Sequence, residues 1–293
     1  TWDLRPNMNV YAGMNQGNRA PSPIELSCAD RNSPCVLSNA FGSDPFLKQV
    51  VARTLEGGLR GKTKDFEWQF GAYRTELTDD ILFVSSSTSA GYFSNVGRTR
   101  RQGLEALLAR KADSGLAWSA RYNLIDATFQ SPAVLFSTNN SSADPVNGEI
   151  QVLPGNRIPG IPQQQLQLAA HWLAASWRIG GILRATSWSY VRGNENNQHQ
   201  AGATAAGRFS GSGRSPGYAV MDLTGSMKLD HGVELLGKIG NLFDRRYVTG
   251  GILGENAFAG GSFVPDSSRW VKETFYSPGA PRSLWAGLSF KFD

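Results

Sequence analysis

Pro281–Phe292 reads PRSLWAGLSFKF, and its alternation decides the fold. In an extended chain Leu284, Ala286, Leu288, Phe290 and Phe292 fall on one side, and Ser283, Gly287, Ser289 and Lys291 on the other, because strand side chains alternate with period two. One face is greasy and the other can be wet. A soluble sandwich would turn the greasy face into a core. Here the same alternation recurs along the chain with almost no strand apolar on both faces, which points to a barrel in lipid with its apolar face outward.

Upstream of that strand the pattern repeats with long and short gaps. Strands are expected at 7–14, 48–60, 66–72, 102–111, 116–124, 163–173, 176–190, 216–229 and 232–243, ten in all with the last. The third is read as running on past Thr78–Asp80 through Ile81–Val84. Leu116, Trp118, Ala120, Tyr122 and Leu124 oppose Ser119, Arg121 and Asn123; Leu166, Leu168, Ala170 and Trp172 oppose Gln165, Gln167 and His171. Short turns at 61–63, 112–115, 174–175 and 230–231 alternate with long polar loops at 15–47, 129–162, 191–215 and 244–279 and a medium one at 88–101. Barrels of the outer membrane show this asymmetry, with short periplasmic turns and long extracellular loops. Trp118, Trp172, Trp177 and Tyr122 suit the aromatic girdles at the membrane interfaces. The expected fold is therefore all-β, a transmembrane antiparallel up-and-down β-barrel, here a partial barrel of about ten strands.

The 293 residues suffice for one large β domain. They begin at Thr1 with no basic-then-apolar leader, and contain no run of about 18 apolar residues that would form a membrane helix. The sequence thus reads as a mature piece or a fragment, silent about compartment. Low charge, 33 glycines and many aromatics suit strands and turns rather than disorder or coiled coil. The formal charge of +5 raises nucleic acid as a partner. The densest basic cluster, however, is only Arg98, Arg100 and Arg101 with no aromatic platform interleaved, so no nucleic-acid partner is expected. Cys28 and Cys35 close a short ring in a polar loop, which reads as a disulfide in an oxidising setting. His171, His199 and His231 lie too far off to complete a zinc site, and no metal or cofactor is expected. Asp79 with Asp80, and Glu195 near His199, are acid–base pairs only on paper, since neighbouring polar side chains in loops are ordinarily solvated; no catalytic residues and no enzyme activity are expected.

Several stretches resemble the C-terminal barrel of TonB-dependent outer-membrane receptors. Asn241-Leu242-Phe243-Asp244-Arg245-Arg246-Tyr247 is similar to the family's NLFD+xY signature before the final surface loop, and NVGRTRRQGLE at 95–105 to its N-x-G-x-x-x-x-x-G-x-E strand entry. Arg19-Ala20-Pro21 and Asp44-Pro45-Phe46-Leu47-Lys48 look like the RAP and NPxLK boxes. Ile158–Pro162 and Pro216-Gly217-Tyr218 look like strand preludes, and Phe292 like the aromatic ending. Two departures stand out: Asp293 follows that aromatic, and the family's barrel has about twenty-two strands plus an N-terminal plug. Residues 1–293 accordingly read as the C-terminal portion of the barrel domain, with plug and TonB-binding segment absent.

The resemblance implies an outer-membrane receptor and transporter of a Gram-negative bacterium, taking up a scarce nutrient, above all a ferric siderophore. Its partners would be outer-membrane lipid, a small-molecule iron chelate, and the TonB system through the plug. Candidate ligand contacts are the loop aromatics Phe258, Phe263, Trp270, Phe275 and Tyr276 with Arg192 and Arg208, which can stack on or pair with an anionic chelate. The same aromatics can equally pin long loops together. Haem receptors of this family carry a His between the two boxes, but residues 22–43 contain none, leaving only His199. Alternatives are a stand-alone porin-like pore or adhesin barrel, and a soluble lectin-like β protein.

Overall fold

The computed structural model describes residues 1–30, 35–36, 47–85 and 90–290; the side chains of residues 35, 36, 85 and 90 fall outside that description. One antiparallel sheet organises the chain. Its strands are β1 (Trp2–Arg5), β2 (Met8–Arg19), β3 (Val50–Lys62), β4 (Phe66–Thr78), β5 (Thr99–Arg110), β6 (Gly115–Phe129), β7 (Gln164–Leu173), β8 (Trp177–Thr186), β9 (Tyr218–Lys228), β10 (Val233–Gly240) and β11 (Ser283–Phe290). They follow one another in strict sequence order, so the sheet is an up-and-down meander. Among the described residues it does not close, since β1 bonds only β2 and β11 only β10.

The turns at one end are short for local reasons. Thr63 N donates to Phe66 O at 2.7 Å, Ala174 N to Trp177 O at 2.9 Å and Leu229 N to Val233 O at 2.8 Å, each closing a tight hairpin. His231 and Gly232 take the positive φ that the β9–β10 turn demands.

Register carries the alternation across the whole sheet. Leu59, Phe70, Ala106, Tyr122, Leu166, Ala185 and Ala219 are consecutive partners in one row. A second row runs Leu108, Ala120, Leu168, Leu183, Met221. One position along, on the opposite face, Arg60, Gln69, Leu107, Arg121, Gln167, Arg184 and Val220 line up. A one-residue slip would exchange these faces, so the pattern holds the register. The apolar face lies bare: Leu55, Phe70, Leu104, Leu168, Trp172, Trp177, Ile179, Leu284 and Leu288 are all exposed. A continuous apolar surface of this extent is what a bilayer covers. No helix among the described residues is long and apolar enough to cross a membrane.

The buried core sits in the loops. Phe129, Leu135, Ile150, Val152 and Ile158 form a cluster with Val84, Tyr92 and Val96. Two small sheets contribute to it, Ala133–Phe136 with Glu149–Val152 and Ile81–Ser85 with Ala90–Asn95; a separate four-stranded sheet is formed by Gly202–Thr204, Gly207–Ser210, Val271–Pro278 and Val248–Asn256. The strand expectations therefore need three adjustments. Trp2–Arg5 is an additional, eleventh strand, joined through a register shift. The segment at 81–84 does not continue β4, because Asp79 at φ +54° turns the chain and Ile81–Ser85 pairs instead with Ala90–Asn95. The first and seventh expected strands end at Arg19 and Thr186 rather than at 14 and 190.

Candidate functional site

Two polar surfaces face the space inside the sheet's curve and above it. The first is the inward face of the strands. Arg60 Nε donates to Asn9 Oδ1 at 2.8 Å, Gln69 Nε2 to Tyr11 Oη at 3.3 Å and Arg184 to Asp222 at 2.8 Å. Tyr11 lies across Gly58 and Gly71, and the space it uses is the space their missing side chains leave. A Cβ on Gly71 would stand 2.7 Å from Tyr11 Oη, and one on Gly58 2.2 Å from Phe70 O. At the loop end Asp80, buried in spite of the expectation that it is solvated, accepts from Thr99 Oγ1 at 2.6 Å and Arg101 at 3.0 Å.

The second surface is the loop assembly, and buried amides hold it together. Asn140, fully buried, donates to Gly193 O at 2.8 Å and to Asn196 Oδ1 at 3.1 Å, and accepts from Ser142. Asn194 donates to Gly213 O at 3.0 Å and accepts from His199 N at 3.0 Å. Asn197 and Arg157 exchange hydrogen bonds at 2.6 and 3.0 Å. Lys272 reaches Thr138 O at 2.7 Å and Ala206 O at 3.0 Å. Four segments distant in sequence are thereby tied to one another. Burial pushes the Glu195 carboxyl up, and pushes the His199 imidazole and Lys272 ammonium down. His199 accepts from Ser141 N on Nδ1 and meets Phe209 edge-on, so its place is in the structural centre of the loops.

The sequence candidates divide. Phe258 and Phe263 meet at 5.9 Å in a small exposed hairpin. Arg192 bridges Ile252, whose other partner is Phe275, so Arg192 and Phe275 flank Ile252 in one row. Tyr276, next in the chain, turns to the other face of that strand and donates to Arg214 O at 3.2 Å. Arg208 is exposed and pairs with Ala203, away from the Phe258 hairpin in register. Trp270 is a loop fastener: its Nε1 donates to Val264 O at 2.7 Å. Among the described residues neither Arg192 nor Arg208 forms an ion pair. Cys28 is disulfide-bonded, and Cys35, the chain's other cysteine, lies with its side chain outside the described residues. The box at 44–48 lies largely outside them as well, and Phe292 wholly so.

The signature at 241–247 is a clasp. Asn241, buried at φ +50°, donates from Nδ2 to Arg245 O at 2.9 Å and Ala280 O at 3.1 Å, accepts from Arg245 N at 2.9 Å, and donates its own N–H to Asp222 at 2.9 Å. Asp244, also at positive φ, accepts from Arg282 N. Tyr247 stacks on Tyr218 at 4.6 Å, and only glycine fits at 279, where a Cβ would stand 2.2 Å from the Tyr247 ring. Leu242 donates its N–H to Met221 O, while Phe243 stays exposed. The motif thus joins the top of β10 to the start of β11. Asn241→Ala should cost about 3 kcal/mol, from buried groups left unpaired and a left-handed alanine. A denaturant titration of the folded form checks this, and a loss below the noise would deny the clasp.

The residues sequence reasoning missed are Asn140, Asn194, Asn196, Lys272 and the stack Arg157–Trp188–Tyr190–Arg214. The available signal was the run Gly193-Asn194-Glu195-Asn196-Asn197-Gln198-His199, too rich in amides for a solvated loop.

Residues 1–242 match the family described as TonB dependent receptor-like, beta-barrel. Solved structures share the fold. The copper transporter OprC superposes with a TM-score of 0.64 at 19% identity over 99% of this chain and 38% of its own. The ferric yersiniabactin uptake receptor FyuA from Yersinia pestis gives 0.63 at 18%, over 99% and 36%. The ferric citrate transporter FecA gives 0.61 at 17%, over 99% and 37%. The chain therefore spans little more than a third of these structures' length. Its motifs, its register and its match over most of its length agree: the chain belongs to the family of TonB-dependent receptor-like β-barrels.

Proposed function

We propose that this chain is part of the barrel of an outer-membrane receptor of a Gram-negative bacterium that takes up a ferric siderophore, working with the TonB system through a plug domain. The observation that supports the reading best is the placing of the cations and aromatics. Arg192 and Arg208 lie exposed and, among the described residues, without ion pairs on loops made rigid by buried amides, with exposed Phe258, Phe263, Phe275 and Tyr276 in the same loop assembly. A siderophore complex is a bulky, often anionic chelate, and guanidinium pairing plus aromatic stacking is the chemistry that holds one. Loops already ordered lose little conformational entropy on capture. Below them the inward face is polar and hydrogen-bonded, as a passage for a hydrated solute must be.

Structures of similar fold are named for copper and for several ferric chelates, so the ligand is decided by uptake. A strain deleted for the receptor should lose growth on one ferric chelate in a panel of siderophores, ferric citrate, haem, cobalamin and copper under limitation. Unchanged growth across the panel would contradict nutrient uptake, and a defect confined to copper or cobalamin would replace the siderophore.

A further inference from the structure

The outward face carries a cationic rim at the loop end that the uptake reading does not use. On β4, β5 and β6 the uppermost apolar outward row is Ala72, Leu104, Leu124. Two residues higher come Arg74, Gln102 and Asp126, and four residues higher Glu76, Arg100 and Thr128, the last bridged to Arg157. Strand rise and a tilt near 40° put these rows roughly 5 and 10 Å above the apolar limit. The headgroup zone of a bilayer extends about 5–8 Å beyond the hydrocarbon on each side, so the lower row stands within it and the upper row just above it, from where a long arginine side chain reaches back down to the phosphates.

Arg157 and Arg214 enclose an aromatic pair there. Their guanidinium carbons lie 4.6 and 4.4 Å from the Trp188 ring and 5.6 and 5.3 Å from the Tyr190 ring, and the two rings meet edge-on at 5.1 Å. Direction follows from alternation. Ser189 and its partner Ser215 are buried, and Tyr190 and its partner Arg214 take the opposite face, where the Arg157 guanidinium lies over Tyr190. Arg157, bridged to outward Thr128, faces the same way. Arg74 is neutralised by Glu76 at 2.8 Å, but among the described residues Arg100, Arg157 and Arg214 form no ion pair, and the Arg100 Nε is buried without a hydrogen-bond partner. The turn end differs: there the outward residues of β4 to β8 are Phe66, Trp118, Trp172 and Trp177, with Arg110 the one cation.

We propose that Arg100, Arg157 and Arg214, with Trp188 and Tyr190 between them, form an outward-facing site for phosphate-bearing headgroups of outer-leaflet lipid. Guanidinium forks match phosphate oxygens, stacking on the two rings holds those of Arg157 and Arg214 in place, and Arg100 joins them through Thr128, its strand partner and that of Arg157. The interfacial position suits the rings themselves. The site rests on the barrel fold and not on which nutrient is carried.

The test uses the intact receptor in phosphatidylcholine vesicles doped with diphosphorylated lipid A, with dephosphorylated lipid A, or with inorganic phosphate in the buffer. Retained lipid is measured by mass spectrometry and stability by the thermal midpoint. Wild type should retain, and be stabilised by, the phosphorylated lipid alone. The triple variant R100Q/R157Q/R214Q should bind it about a hundredfold more weakly, at roughly fivefold per basic residue near an anionic surface, while R110Q binds as wild type. Equal retention by the triple variant, equal loss in R110Q, or equal retention of dephosphorylated lipid would overturn the proposal. Stabilisation by inorganic phosphate equal to that by the lipid would assign the site to a soluble anion and overturn it too. If the triple variant does not fold, the wild type decides alone: no preference for phosphorylated lipid refutes the site.

Discussion

Lysine in place of Leu168 is expected to destabilise the inserted barrel by about 3 kcal/mol, whereas lysine at Gln167, the preceding residue in the chain, should cost almost nothing. Leu168 sits on the outward face between Ala120 and Leu183, exposed and with no protein layer over it. Any penalty there comes from the surrounding medium. In a bilayer a charge costs most at mid-depth and little near the interface, so Leu116→Lys, at the turn end of β6, should cost about 1 kcal/mol or less. Folding titrations into lipid vesicles measure all three. A soluble sheet would show no such dependence on depth, and equal costs for Leu168→Lys and Leu116→Lys would argue against the membrane assignment.

The second large effect is expected at Asn140. Alanine there removes two donated and two accepted hydrogen bonds from a fully buried site and leaves Ser142 N without a partner, while Gly193 O keeps Ser137 Oγ and Asn196 Oδ1 keeps Gln198 N. One unpaired buried donor costs about 1–3 kcal/mol and the other lost bonds about 0.5–1.5 kcal/mol each, and partial relaxation brings the expected total to about 3 kcal/mol. The loss is local, because Asn140 joins loops rather than strands. Amide exchange at Ser142 and His199 should quicken by roughly a hundredfold, while the strand amides of β6 to β8 keep their protection. Asn140→Asp keeps the acceptors, loses both donors and buries a charge, so it should be at least as severe. Unchanged exchange in both variants would mean that the amides fill space without tying the loops.

What could be read in advance follows from what local pattern encodes. The strands were legible because each carries its own alternation and each hairpin its own turn, and register then follows from keeping one face apolar. Trp2–Arg5 was not, being short and joined through a register shift. Ile81–Ser85 was misassigned because nothing local says that Asp79 turns the chain, or that the partner is Ala90–Asn95. The loop sheets were invisible for the same reason: Phe209 pairs in parallel with Lys272, far along the chain, and two-residue strands have no period to read. Polar residues at 137–142 and 193–199 looked solvated, since a sequence does not show that one amide cluster will bury another. Of the ligand candidates, the placement on loops was legible, but not the grouping. Phe258 with Phe263, and Arg192 beside Phe275, are neighbours by register, while Trp270 is occupied in holding its own loop.

The central claim is that one face of this sheet lies in lipid and the other lines a wet interior. Single cysteines placed from Gln165 to Trp172 along β7, labelled in intact outer membranes, test it most directly. The account predicts that a water-soluble thiol reagent reaches positions 165, 167, 169 and 171, while positions 166, 168, 170 and 172 react only with a reagent dissolved in the bilayer. Uniform labelling along the strand, or the opposite parity, would contradict it.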